Sequence, residues 1–174
     1  NNSAYTAHAL RNHMDLPWFE LPPGYQFLHC LVNSASGGDS SAVDGFAVGE
    51  FLKNNEKEIF DTLVRVPLKF RDMDYTQESH RGFHAPAISL TKDGDFHDIR
   101  FSIATMDVLD CRPDLKEKVY KAHRRFGKLL HDEKFQINFR LGPGDIYSFN
   151  NRSILHGRTA FDPNSGHRHL QGYY

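Results

Sequence analysis

The stretch Phe135-Gln136-Ile137-Asn138-Phe139-Arg140-Leu141 is followed by Gly142-Pro143-Gly144-Asp145 and then Ile146-Tyr147-Ser148-Phe149. Apolar and polar residues alternate strictly from Phe135 to Leu141, which is the two-residue period of a half-buried strand. The Gly-Pro-Gly-Asp run turns the chain, and Ile146 to Phe149 forms a second strand that leads toward His156. Working outward, Gln26 to Val32 is apolar and aromatic between Pro22-Pro23-Gly24 and Ser36-Gly37-Gly38-Asp39, and reads as another strand bounded by turns. Pro67 to Arg71, Ala87 to Thr91 and Asp98 to Ile103 are short strand candidates, the last two joined by a hairpin-type turn at Lys92-Asp93-Gly94-Asp95. Short strands in series predict antiparallel β-structure. Helical spacing appears in Val43 to Lys53 and Glu56 to Val64, and most clearly after Pro113, where Leu115, Val119, Ala122, Phe126, Leu129 and Leu130 repeat at three- and four-residue steps. The expected fold class is mainly β with flanking helices, the helix after Pro113 packing outside the sheet.

At 174 residues with 39% hydrophobic content, the chain can bury one sizeable core, which predicts a single domain. A formal charge of -1, from 21 basic and 22 acidic residues without a run of one sign, argues against nucleic acid or an anionic membrane as partner. No apolar stretch approaches the roughly 20 residues of a membrane span. Cys30 and Cys111 are the only cysteines, and read as free thiols of a reducing compartment, the cytoplasm by default.

Eleven histidines make chance pairings common, so His13-Met14-Asp15 carries little weight by itself. Its physical appeal is that residues two apart on a strand share a face, bringing imidazole and carboxylate to one ion. His156, beyond the strand ending in Phe149, offers a third ligand from elsewhere in the chain. Two histidines and one carboxylate leave three positions open on one face of an octahedral Fe(II), as a bidentate co-substrate and dioxygen require. Zinc sites normally close with further His or Cys, and none is spaced to supply them. Downstream, Arg168 lies on the strand returning from a turn at Asn164-Ser165-Gly166. A hairpin there would present its fixed guanidinium fork to the distal end of a dicarboxylate. Ser40, in Gly37-Gly38-Asp39-Ser40, could bring a hydroxyl to the same carboxylate.

These residues resemble the taurine dioxygenase-like branch of Fe(II)/2-oxoglutarate oxygenases, and within it the γ-butyrobetaine dioxygenases. The resemblance runs nearly end to end. It rests on Ala4-Tyr5-Thr6, His13-Met14-Asp15-Leu16-Pro17, Pro23-Gly24 with Gln26-Phe27-Leu28-His29-Cys30, Gly37-Gly38-Asp39-Ser40, Val43-Asp44-Gly45-Phe46, Asn151-Arg152 with Leu155-His156, and Arg168-His169 with Gly172 and Tyr174. It implies a double-stranded β-helix (jelly-roll) core, iron held by His13, Asp15 and His156, and 2-oxoglutarate held by Arg168 and Ser40, with dioxygen as the other co-substrate. It further implies that residues 1–174 are a catalytic domain without the family's small N-terminal domain and C-terminal extension.

The substrate the resemblance implies is a small quaternary ammonium compound. Tyr5 and Tyr174 match positions of an aromatic cage around a trimethylammonium group, which aromatic faces suit because it cannot donate a conventional hydrogen bond. Asn2 matches a residue that contacts the substrate carboxylate. A second Asn expected within Arg100 to Thr105 is replaced by Ile103. The leading expectation is γ-butyrobetaine to carnitine. Trimethyllysine and 2-trimethylaminoethylphosphonate are the alternatives, the phosphonate drawing on Arg100, Ser102 or Thr105 as anion donors. Two other classes stay in view: a metal-containing β-barrel binding protein without turnover, and a metal-dependent hydrolase, which would want a general base not evident here. Assembly is left open between monomer and homodimer. Asn151 and Arg152 are expected to brace backbone, Trp18 to pack, and His29 and Cys30 to lie in the core.

Overall fold

The computed structural model describes residues 6–174. Its centre is a four-stranded antiparallel sheet in the order β1 (Leu10–His13), β10 (Ile154–Arg158), β3 (Ser40–Asp44), β8 (Gln136–Phe139). A second antiparallel sheet orders β11 (Arg168–Tyr173), β2 (Tyr25–Asn33) and β9 (Ile146–Asn150). Together the two sheets form the jelly-roll core, and the alternating Phe135–Phe149 stretch supplies one strand to each. Two ribbons, β4 (Leu68–Asp74) with β5 (Ser79–Ala85) and β6 (Ile88–Leu90) with β7 (Phe96–Ile99), stand beside it.

Three helices cover one side: α1 (Gly45–Asn55), α2 (Lys57–Arg65) and α3 (Lys116–Leu129). Val48 and Leu52 of α1, Phe60 and Leu63 of α2, and Val119, Ala122, Phe126 and Leu129 of α3 join Val43 and Leu155 of the central sheet in one buried cluster. Side chains alternate across a strand, so with Leu155 toward the helices, His156 points to the opposite, inner face. Gly157 then returns to the helix side, where an added Cβ would meet Leu10 O at 2.6 Å and the Asn12 and Ser41 side chains at 2.8 Å.

The structure departs from the sequence expectations in three places. Val43 lies within β3 rather than opening a helix, because Asp44, the last residue of that strand, caps α1: its Oδ1 accepts from the Phe46 and Ala47 amides. β5 has no apolar alternation to announce it and exists through its pairing with β4. The strand predicted over Asp98 to Ile103 stops at Ile99, because the chain turns to aim the buried Arg100 at the carbonyls of Pro17, Phe19 and Glu20.

His123 of α3 is buried and stacks on Phe101 with ring centroids 4.8 Å apart. Burial pushes its pKa down from 6.5 to about 4. The unfolded chain therefore binds the proton more readily, and this contribution to stability is complete above pH 6.5 and lost as the pH falls toward 4. The linkage is on the order of 3 kcal/mol. In His123→Leu, unfolding free energies measured by urea titration are expected to fall less steeply between pH 6.5 and 4 than in the parent chain; equal slopes would refute the assignment.

Candidate metal centre

β1 ends at His13, and Asp15 lies beyond it in a bend where Leu16 adopts a left-handed φ of 59°. The two side chains therefore meet through this bend, not through strand alternation as the spacing suggested. Asn151 holds the bend: its Oδ1 accepts from the Asp15 amide at 3.0 Å, and its Nδ2 donates to the carbonyls of Asp15 at 3.0 Å and Pro23 at 3.2 Å. Arg152 donates to Pro22 O. Both residues brace backbone as expected, but that of the segment after β1 rather than the strand before His156. Across the β1–β10 ladder His13 pairs with His156, which sets the rings 4.5 Å apart.

His13 Nε2 is 3.2 Å from Asp15 Oδ1, and His156 Nε2 is 3.9 Å from Asp15 Oδ2. One ligand atom from each of the three residues lies within 4.8 Å of the others. His13 Nδ1 is 2.8 Å from Arg11 O, so donation to that carbonyl fixes the tautomer and leaves the Nε2 lone pair for an ion. The other carboxylate oxygen, Asp15 Oδ2, accepts from Gln26 Nε2 at 2.7 Å and Tyr174 Oη at 2.7 Å. Burial pushes His156 down to about 3, reinforced by the neighbouring His13 charge. Burial also opposes charge on His13 and Asp15. It is the largest single influence on each. The hydrogen bond between them, the mutual attraction of their charges and the further bonds from His13 to Arg11 O and from Tyr174 to Asp15 together outweigh it, holding His13 above its ordinary value and Asp15 well below the usual carboxylate range. A neutral imidazole, an imidazole with a fixed tautomer and a permanently ionised carboxylate form a donor set suited to a divalent transition metal.

A second group of charges lies on the other sheet and the loop that follows β2. Arg168, at the start of β11, donates from Nη2 to Gly38 O at 3.3 Å, and its Nε is buried without a partner among the described residues. Gly38 has a left-handed φ of 77°, and a Cβ there would sit 2.8 Å from Arg168 Nε, so glycine is what admits the guanidinium. Arg140 fastens the Asn33–Asp39 loop through the carbonyls of Asn33, Ala35 and Gly37 and the Asp39 carboxylate. Ser40 is buried in β3 directly across from Arg158. An orphaned, buried guanidinium nitrogen in a glycine-lined cradle fits the distal carboxylate of a dicarboxylic acid.

The structure thus brings together His13, Asp15, His156 and Tyr174, with Ser40 on β3, the strand beside β10, and Arg168 on β11 of the other sheet. Tyr5 and Asn2 lie outside the described residues. Arg100 is not an available anion donor, since its guanidinium is committed to three backbone carbonyls. Sequence reading passed over Gln26 and Arg158. Gln26 was detectable as a polar residue inside an apolar strand, and Arg158 as the residue two beyond His156, on the same face of β10.

The family model described as "Taurine catabolism dioxygenase TauD, TfdA family" matches residues 1–174. A gamma-butyrobetaine dioxygenase from Pseudomonas sp. (strain AK-1) is 41% identical over 174 residues, covering 100% of this chain and 45% of that protein. The Homo sapiens gamma-butyrobetaine dioxygenase is 36% identical over 178 residues, covering 100% of this chain and 46% of its own length. The chain therefore spans about half the length of these relatives. Among solved structures, an asparagine oxygenase in complex with Fe(II), 2S,3S-3-hydroxyasparagine and succinate superposes with a TM-score of 0.73 at 22% identity, covering 95% of this chain and 49% of that one. At that identity the likeness concerns the fold.

Gln26 is almost fully buried, and Leu matches it in volume, so Gln26→Leu removes a carboxylate donor without opening a cavity. We expect divalent-metal affinity, measured by anaerobic titration with Mn(II), to fall about 10- to 100-fold while the thermal midpoint stays within a few degrees. Unchanged affinity would show that Gln26 does not orient Asp15.

Proposed function

The chain belongs to the taurine catabolism dioxygenase TauD, TfdA family, and on that footing we propose that it is the catalytic part of an Fe(II)- and 2-oxoglutarate-dependent hydroxylase acting on a small quaternary ammonium substrate, γ-butyrobetaine first among them. The observation that carries this reading is the pairing of two half-sites. Two imidazole Nε2 atoms converge on the Asp15 carboxylate, and Arg168 has a buried Nε with no partner among the described residues.

In this reading His13, Asp15 and His156 hold iron, while Arg168 and Ser40 hold the distal carboxylate of 2-oxoglutarate. When bound, the iron and its co-substrate supply the oxidising power: 2-oxoglutarate and dioxygen are converted to succinate and carbon dioxide, with one oxygen atom delivered to a substrate C–H. The protein's contribution is positional. Gln26 and Tyr174 restrain Asp15 Oδ2, Asn151 fixes the bend that carries Asp15, and Arg140 shapes the loop against Arg168. Tyr174, with Tyr5, offers aromatic surface to a trimethylammonium group, and Asn2 a donor to the substrate's acidic end.

Ile103 favours keeping a second substrate in the test. It is 53% exposed and has no donor for a carboxylate, and Arg100 beside it is spent on backbone. Trimethyllysine and 2-trimethylaminoethylphosphonate, which place their anionic groups differently, therefore accompany γ-butyrobetaine. Both thiols, Cys30 and Cys111, are free, which supports a reducing, cytoplasmic setting. No helix among the described residues is long and apolar enough to cross a membrane.

With ferrous iron, dioxygen and labelled 2-oxoglutarate, succinate formation is expected to rise on addition of one of the three trimethylammonium compounds, and to vanish in His13→Ala. Arg168→Ala should weaken 2-oxoglutarate binding about 30-fold or more, as expected when a buried charged hydrogen-bond partner is removed. An unchanged dissociation constant would sink the Arg168 assignment, and no stimulation by any of the three would sink the cage. Complete absence of iron-dependent succinate would leave a binding protein without turnover.

A further inference from the structure

Arg158 is a buried cation that the metal reading does not use. It follows His156 by two residues on the inner face of β10, across from Ser40 on one side and Leu10 on the other. Its Nη2 donates to two backbone carbonyls of the segment before β1, those of Thr6 and His8, the latter at 3.1 Å. The same segment is held a second time by Phe161, whose amide donates to Ala7 O at 3.1 Å. The Phe161 ring then receives both guanidiniums, Arg158 at 5.0 Å and Arg168 at 5.7 Å from its centroid. Phe161 also bridges to Gly37, next to the glycine that admits Arg168. A continuous set of contacts therefore runs from Thr6–His8 through Arg158 and Phe161 to the pocket of Arg168.

We propose that Arg158 is a positioning residue that fixes the Thr6–His8 segment against the co-substrate pocket, so that productive binding of the hydroxylated substrate depends on it while 2-oxoglutarate binding does not. This rests on the proposed function, which assigns Tyr5, the residue directly before Thr6 in the sequence, to the substrate. The chemistry requires arginine. A planar fork can reach two carbonyls while lying against an aromatic ring, and a lysine ammonium, a compact charge, can keep the first contact but not the stack. Small misplacements of substrate are costly in such a site, and they separate co-substrate consumption from product formation.

The test compares Arg158→Met and Arg158→Lys with the parent chain. In Arg158→Met the substrate KM is expected to rise about tenfold or more and hydroxylated product per succinate to fall below half, with the 2-oxoglutarate dissociation constant within about threefold. Arg158→Lys should fall between the two on both measures. A second readout needs no turnover: the Phe161 amide should exchange hydrogen about tenfold faster in Arg158→Met, while the Gly38 amide, which donates to Ala160 O, keeps its rate. Weakened 2-oxoglutarate binding with an unchanged substrate KM would make Arg158 part of the anion clamp and overturn the proposal, as would unchanged exchange at Phe161. If Arg158→Met does not fold, the Lys variant is read on the same scales, and parent-like values in all of them refute the role. Absence of succinate in the parent chain would count against the proposed function, while exchange at Phe161 would still decide whether Arg158 holds the segment.

Discussion

Everything in this molecule hangs on how β10 is paired. It runs between β1 and β3, hydrogen-bonded on both edges, so its side chains have only two directions available. Leu155 goes to the helices and closes the apolar cluster with Val43. His156 goes inward to Asp15, Gly157 outward into a space with no room for a Cβ, and Arg158 inward again. A one-residue slip would put an imidazole and a guanidinium into the helix interface and a leucine at the metal centre. The packing core and the candidate site are therefore specified by the same ladder, and the helices matter to the chemistry because they hold that register.

Arginine placement follows a second constraint. A buried guanidinium needs acceptors, and carboxylates are scarce on the inside of this fold, so backbone carbonyls take the work. Arg100 gathers the carbonyls after Asp15, Arg140 those of the Asn33–Asp39 loop, and Arg158 those before β1. Each straightens out a segment with no regular structure of its own. Arg168 makes a single carbonyl contact, to Gly38 O at 3.3 Å. The Nε atoms of Arg100, Arg158 and Arg168 are all buried without a partner among the described residues, so what sets Arg168 apart is the number of carbonyls it holds: one, against three for Arg100 and two for Arg158.

Much of this was legible in the residue order because it rests on periodicity. The alternation around Phe139, the turn at Gly142–Asp145 and the heptad-like spacing after Pro113 each predict an element found in place. What escaped were features that only tertiary contacts create. β5 is polar and is a strand through β4. Val43 is apolar enough to begin a helix until Asp44 caps it. The His13–Asp15 approach was expected on correct spacing but for the wrong reason, since the bend at Leu16 and the Asn151 clamp do what strand alternation was thought to do. Gln26 looked like part of a strand motif, and only its 2.7 Å bond to Asp15 reveals a role beyond the strand.

The contact between Tyr174 and Asp15 sharpens what an aromatic cage would mean here. Tyr174 is 61% exposed, yet its hydroxyl is held 2.7 Å from Asp15 Oδ2. A tyrosine anchored at its polar end keeps its ring oriented, and an oriented ring attracts a cation more effectively than one free to turn away. The anchor is also the carboxylate that would bind the ion. The distance from a trimethylammonium group on that ring to the metal is then set by one side chain's length and one hydrogen bond, which is the kind of fixed spacing that selects a single carbon for reaction. Gln26 completes the arrangement from the other side by sharing Oδ2 and leaving Oδ1 turned toward His13. Substrate position and metal geometry would thus be tied through a single carboxylate.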